Sequence, residues 1–189
     1  FDLQVASGFR SFERQLAMWN GKASGERPVH DDADRPVDIL ALGETDRIHA
    51  ILRYSALPGA SRHHWGTDLD VFDAAAMPDG YRLQLSPAEV ADDGMFGPFH
   101  AWLDERIAAG EAEGFYRPYD VDRGGVAVER WHLSFAPAAA GCESRLTEDV
   151  LAAALEGCEL ALGERVLAQL PALLQRYVCA VSPPPDASL

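Results

Sequence analysis

The chain carries the run Ser61-Arg-His-His-Trp-Gly-Thr-Asp-Leu-Asp70 and, well downstream, Glu129-Arg-Trp-His132. His63, Asp70 and His132 form a facial set of ligands suited to one Zn²⁺, and any fold of this chain has to bring two distant segments together to build it. Three protein ligands leave a fourth coordination position open, the arrangement of a catalytic rather than a structural zinc site. Glu129 lies three residues before a ligand, where it can act as general base on water held there. That spacing also constrains the backbone. In a regular strand, residues three apart point to opposite faces. Glu129 and His132 can serve one site only if the regular strand begins after Glu129 or a bulge lies at Arg130–Trp131.

The local pattern around these runs predicts a mixed fold. Residues 3 to 6 read as a short strand, and Ser11 as the N-cap of a helix to Asn20, with Phe12, Leu16 and Trp19 on one face. Gly21 to Pro36 is polar and reads as a loop, and Asp38 to Tyr54 as a helix broken by Pro58-Gly59. Thr67 to Asp73 alternates, which puts Leu69 and Val71 on one face and Asp68 and Asp70 on the other, toward the metal. Ser86-Pro87-x-Glu89 has the form of a capping box, Phe96 to Ala109 reads as a second helix, Gly114 to Tyr119 as an aromatic turn, and Val126 to Phe135 as a strand. Beyond Thr147, leucines recur at helical spacing and are divided by Gly157, Gly163 and Pro171 into short helices. The expected division is a catalytic domain over 1–140, a helical appendage of the same domain over 141–181, and a frayed tail over 182–189.

At 189 residues the chain is long enough for one domain with a proper core. Its formal net charge of −14 argues against nucleic acid as a partner. No apolar run approaches the roughly 20 residues of a transmembrane helix. Cys142, Cys158 and Cys179 lie after the metal runs without metal-site spacing and are expected as free thiols on helices, although one disulfide could be drawn in three ways.

Four blocks, in order, resemble the LAS metallopeptidases, zinc enzymes that cleave bacterial peptidoglycan and share a site architecture with the Hedgehog domain. The blocks are Val5-Ala-Ser-Gly-Phe-Arg-Ser11 with Gln15, the Ser61–Asp70 run, Gly114-Phe-Tyr-x-Pro-Tyr119, and Gly124-Gly-Val126 leading into Glu129-x-Trp-His-Leu-Ser134. Within that family the chain looks most similar to the vancomycin-resistance-type D-alanyl-D-alanine carboxypeptidases. The resemblance implies an α+β fold in which a small antiparallel sheet carries the zinc site and helices cover one face. It implies hydrolysis of peptidoglycan stem peptides at a terminal D-alanine, by D,D- or L,D-carboxypeptidase action, with His63, Asp70 and His132 on zinc and Glu129 as base. An endopeptidase or dipeptidase would use the same residues. A non-hydrolytic cell-wall-binding zinc domain is a further alternative, which the retention of Glu129 and Arg10 disfavours.

By the same resemblance Arg10 points at the scissile carbonyl or the substrate carboxylate, Ser61 contacts substrate, and Gln15 hydrogen-bonds the substrate backbone. A surface arginine and a turn-capping serine are the competing readings of the first two. His64 is expected to pack rather than ligate. Asp68 is either a support for a ligand imidazole or an exposed strand residue. Trp65, Trp131, Tyr116 and Tyr119 are candidates to wall the cleft, and Arg62 and Arg130 are further candidate cations. The substrate implies the cell envelope or periplasm, with a leader removed before Phe1; a cytoplasmic location stays open.

Overall fold

The computed structural model describes residues 1–184. Strands β1 (Leu3–Ser7), β2 (Asp68–Asp73), β3 (Phe115–Tyr116) and β4 (His132–Phe135) form one antiparallel sheet in the order β1-β2-β4-β3. The alternation expected in β2 is present. Leu69 and Val71 join Leu133 and Phe115 on one face, where Phe99, Leu103 and Ile107 of α4 (Gly97–Ala108) cover them. The opposite face carries Asp68 and Asp70, so the pleat alone separates core from site. The β2–β4 register sets Asp70 opposite His132 and Asp68 opposite Ser134. β4 is shorter than the strand expected from Val126. Residues 126–131 are irregular, and the His132 N–H closes a turn on the Glu129 carbonyl at 3.0 Å. The regular strand therefore starts after Glu129, one of the two ways the spacing allowed.

Helix α1 (Phe12–Ala23) starts where Ser11 caps it, its hydroxyl accepting from the Arg14 N–H at 3.3 Å. It runs past the expected end at Asn20 because Gly21 is buried inside its last turn instead of ending it. The helix expected over Asp38–Tyr54 is divided. A 3₁₀ turn, Ile39–Ala41, precedes α2 (Glu44–Leu52), and Gly43 serves as the N-cap of α2. α3 (Pro87–Val90) opens with the expected capping box of Ser86 and Glu89.

Short helices follow β4: α5 (Ala136–Ala139), α6 (Cys142–Arg145), α7 (Glu148–Leu155), α8 (Gly163–Ala168) and α9 (Leu170–Leu174), with a π-helical turn over Gln175–Cys179. From α7 onward they pack into the body of the fold. Leu151, Leu155, Val166, Leu170, Leu173 and Tyr177 share one core with Trp19 of α1 and Ile48, Ile51 and Leu52 of α2. The Trp19 indole N–H donates to the Ala161 carbonyl at 2.9 Å, tying α1 to the turn before α8. Ser182, expected at the start of the tail, is buried and its N–H donates to the Pro118 carbonyl at 2.8 Å; residues 185–189 lie outside the described residues. Cys142, Cys158 and Cys179 are free thiols, the first two half-buried and the third exposed.

Candidate metal centre and cleft

Each candidate ligand is placed by a different local device. His63 sits in a 3₁₀ turn, Arg62–Trp65, which Gly66 ends in the left-handed conformation (φ 73°) so that the chain can enter β2 at once. Asp70 and His132 are a cross-strand pair. The ligand atoms of His63, Asp70 and His132 lie within 4.8 Å of one another, and all three residues are buried. Asp70 lies between the imidazoles, with Oδ2 3.2 Å from His63 Nε2 and Oδ1 3.1 Å from His132 Nδ1. Asp70 Oδ1 is buried with no hydrogen-bond partner. An orphaned carboxylate oxygen between two imidazoles is what a divalent cation would satisfy, and two nitrogens with one oxygen suit zinc. The residues present therefore fit the ion.

Asp68 settles the open reading of its role. It is fully buried, and its Oδ1 is 2.9 Å from His132 Nε2 and accepts from Arg62 Nε at 2.8 Å. Its Oδ2 accepts from Thr67 Oγ1 at 2.6 Å and from Ser134 Oγ at 3.1 Å. Asp68 thus holds the Nε2 proton of His132 and leaves Nδ1 facing Asp70. Burial alone would raise the Asp68 pKa, but His132 and Arg62 bring it down to about 2. Burial works against a charged His132, yet the hydrogen bond to Asp68 and the nearby Asp70 carboxylate raise its pKa to about 9.

The turn before β4 sets Glu129 Oε2 3.6 Å from His132 Nδ1. Burial lifts the Glu129 pKa to about 7, with Asp70 adding to the rise and His132, Lys22 and Arg10 opposing it. A carboxyl poised near neutrality is suited to exchanging protons with a reacting group.

These groups open into a cleft of about 360 Å³, lined by Arg10, Lys22, Ser61, Tyr119, Glu129 and Trp131 among others. Ser61 is buried in its wall, and its hydroxyl makes no capping bond to the 3₁₀ turn that follows. Arg10 also lines the cleft. Its Nη1 donates to Gln15 Oε1 at 2.9 Å and its Nη2 to Ser7 Oγ at 3.0 Å, so neutral partners aim it without cancelling its charge. Gln15 is fully buried, one end of its amide accepting from Arg10 and the other donating to the Ala56 carbonyl at 2.6 Å.

Arg130 turns away from the cleft, donating to the Val90 carbonyl at 2.7 Å and pairing with Asp104 at 2.8 Å. Arg62 is consumed by Asp68, Glu143, Tyr116 and Ser134. Tyr116 and Trp65 thereby form a second layer around Arg62, whose guanidinium lies 4.5 Å from the Trp65 ring centre. Tyr119 stands edge-on to His132 at 5.0 Å. His64 is no ligand: its Nδ1 is 2.6 Å from the Arg10 carbonyl, and its Nε2 accepts from the Gly59 N–H at 3.1 Å. Lys22 escaped the sequence reading. The available signal was helical phase, since Lys22 is four residues after Met18 on α1 and both line the cleft.

An α+β fold that brings His63, Asp70, His132 and a buried acid together at an open cleft has the organisation of a hydrolase site with a place for a metal ion. Residues 1–138 match the family model described as VanY, D-alanyl-D-alanine carboxypeptidase, and the chain belongs to that family. A stretch of 57 residues is 54% identical to an uncharacterized protein of Haemophilus influenzae, covering 30% of this chain and 39% of the relative. A second uncharacterized protein of Haemophilus influenzae is 29% identical over 124 residues, 65% of this chain and 92% of that one. Among solved structures, a mutant of the vancomycin-resistance D,D-pentapeptidase VanY in complex with Zn(II) is similar at 22% identity and a TM-score of 0.46, with 87% of this chain and 71% of that chain covered.

Proposed function

We propose that the protein is a zinc-dependent carboxypeptidase that removes a terminal D-alanine from peptidoglycan stem peptides, by D,D- or L,D-cleavage. The observation that carries the reading is the convergence of His63, Asp70 and His132 with Glu129 beside them, at the foot of a cleft that also presents Arg10. Bound zinc would supply Lewis-acid polarisation of the scissile carbonyl. The chain's own residues do the rest. Glu129 takes a proton from the attacking water as its oxygen bonds to the carbonyl carbon, and passes that proton to the amine as the C–N bond breaks. Arg10, held in place by Gln15 and Ser7, offers its guanidinium to the negative charge that develops on the carbonyl oxygen. Ser61 presents a free hydroxyl to the peptide, and Asp68 keeps His132 in the tautomer that exposes Nδ1.

The substrate places this work in the cell envelope. Among the described residues no helix is long and apolar enough to cross a membrane. The test is incubation of zinc-loaded protein with defined tetra- and pentapeptide stems, read by mass spectrometry. Loss of one C-terminal D-alanine is the expected result. Loss of a dipeptide, or cleavage inside a cross-linked substrate, would reassign the protein to the dipeptidase or endopeptidase alternatives. Tight stem-peptide binding with no cleavage would make it a binding domain.

A further inference from the structure

Lys22 is the chain's one lysine, the remaining basic residues being arginines. The last turn of α1 delivers it into the wall of the cleft that holds Arg10, His63 and Glu129. Its ammonium has no carboxylate within ion-pair distance among the described residues, whereas Arg62 is occupied by Asp68 and Glu143, Arg53 by Asp32 and Asp122, and Arg130 by Asp92 and Asp104, and Arg10 is held by neutral partners. Of the acids that line the cleft, Asp31 is held by Arg35, Asp70 faces the two imidazoles, and Asp34 and Glu129 make no ion pair with Lys22, although the Glu129 charge offsets part of the effect of burial on the ammonium. Withdrawing a cation from water without a partner is unfavourable, and burial accordingly lowers the Lys22 pKa to about 8. With 30 acidic residues available, this chain leaves both Arg10 and Lys22 without an ion-pair partner inside its cleft among the described residues, and Lys22, unlike Arg10, is not fixed by side-chain hydrogen bonds. A substrate carboxylate would complete the pair. The need is real, because a chain of net charge −14 repels an anionic peptide end until a local cation captures it.

We propose that Lys22 binds the terminal carboxylate of the peptide substrate and so makes the cleft selective for a free C-terminus. This inference rests on the carboxypeptidase reading and assigns its specificity. Arg10 is fixed by two neutral partners toward the reacting centre, whereas the flexible lysine stem reaches a carboxylate as a point charge. Lys22 is thus a specificity residue that acts on ground-state binding.

The experiment compares wild-type protein, Lys22→Met and Lys22→Arg on one stem pentapeptide with a free or an amidated C-terminus. Lys22→Met is expected to raise KM for the free acid about 10- to 100-fold, the worth of one hydrogen bond to a charged group, with kcat little changed. Discrimination against the amide should collapse, and Lys22→Arg should restore most of it. An unchanged KM in Lys22→Met overturns the proposal. So does an equal loss on both peptides confined to kcat, which would mean that Lys22 acts only through Glu129. A second arm needs no turnover. Acetylation of Lys22, followed by peptide mapping in zinc-loaded Glu129→Gln protein, should be slowed by the free-acid peptide and not by the amide. If wild type cleaves neither peptide, the carboxypeptidase reading fails and this arm still decides the inference: selective protection upholds it and equal labelling refutes it.

Discussion

Asp68→Asn should separate the role of a buried charge from that of a shape. The carboxylate receives four hydrogen bonds: Arg62 and His132 on one oxygen, Thr67 and Ser134 on the other. An asparagine of the same outline can keep these contacts, its carbonyl on the side shared by Arg62 and His132 and its NH₂ toward the Thr67 and Ser134 hydroxyls, which can also accept. What it loses is the negative charge that makes the His132 imidazole a stronger donor of its Nδ1 lone pair. Loss of such a carboxylate support typically weakens metal binding about 10- to 100-fold, equivalent to about 1.4–2.7 kcal/mol. Folding suffers separately. Arg62 is 4% exposed and loses its buried partner, and breaking a buried pair costs about 3–5 kcal/mol. Because Arg62 retains Glu143, Tyr116 and Ser134, the lower end, about 3 kcal/mol, is expected. A domain of ordinary stability, about 5–15 kcal/mol, survives that loss. Zinc affinity is read by competition with a chromogenic chelator, and stability by urea unfolding of the metal-free protein. Ser134→Ala is the control, removing a hydroxyl and no charge, with an expected cost near 1 kcal/mol and little effect on zinc. If Asp68→Asn binds zinc as tightly as wild type while remaining folded, the argument from the Asp68 charge is wrong.

Further outcomes follow from the same geometry. Glu129→Gln should retain zinc and fold but lose about 10²–10⁴-fold in turnover, measured on a stem peptide, and wild-type turnover would show that another group serves as base. Zinc binding near neutral pH should release about one proton, because His132 is protonated below about 9 in the metal-free protein and must free Nδ1; calorimetry in buffers of different ionisation enthalpy measures it, and no buffer dependence contradicts it. His132→Ala should lose most of its zinc by elemental analysis. His100 is fully buried against Arg117, and burial followed by the Arg117 and Arg130 charges lowers its pKa to about 3. Its folded pKa lies below the unfolded value of about 6.5, so the stability it supports is intact above that pH and is lost progressively between about 6.5 and 3. Urea midpoints at neutral and acid pH should therefore diverge less in His100→Gln than in wild type, and equal divergence would dismiss the group.

The four-block resemblance pointed to the family and, with the residue types in the two runs, to the candidate ligand set. The alternation in Thr67–Asp73 separated core from site, because side-chain direction in a strand depends only on parity. The spacing of Glu129 and His132 similarly demanded an irregular backbone, found as a turn ahead of β4. Ser11 and the Ser86 capping box marked helix starts because a cap acts over three residues.

The remainder depended on residues far apart in the chain. Arg130 shares parity with His132, yet Asp104, Asp92 and the Val90 carbonyl draw it away. The burial of Gln15 between Arg10 and the Ala56 carbonyl was not legible in its own segment. Asp68 could not be told from a solvated strand residue before Arg62 and His132 closed over it. The C-terminal helices became part of the central core only because α1 and α2 present a matching apolar face. Sequence fixes which side chains can share a face, through rules that act over a few residues. Which charge is paired, which is buried and which is left free, as at Lys22, is set by partners that only the packed chain brings within reach.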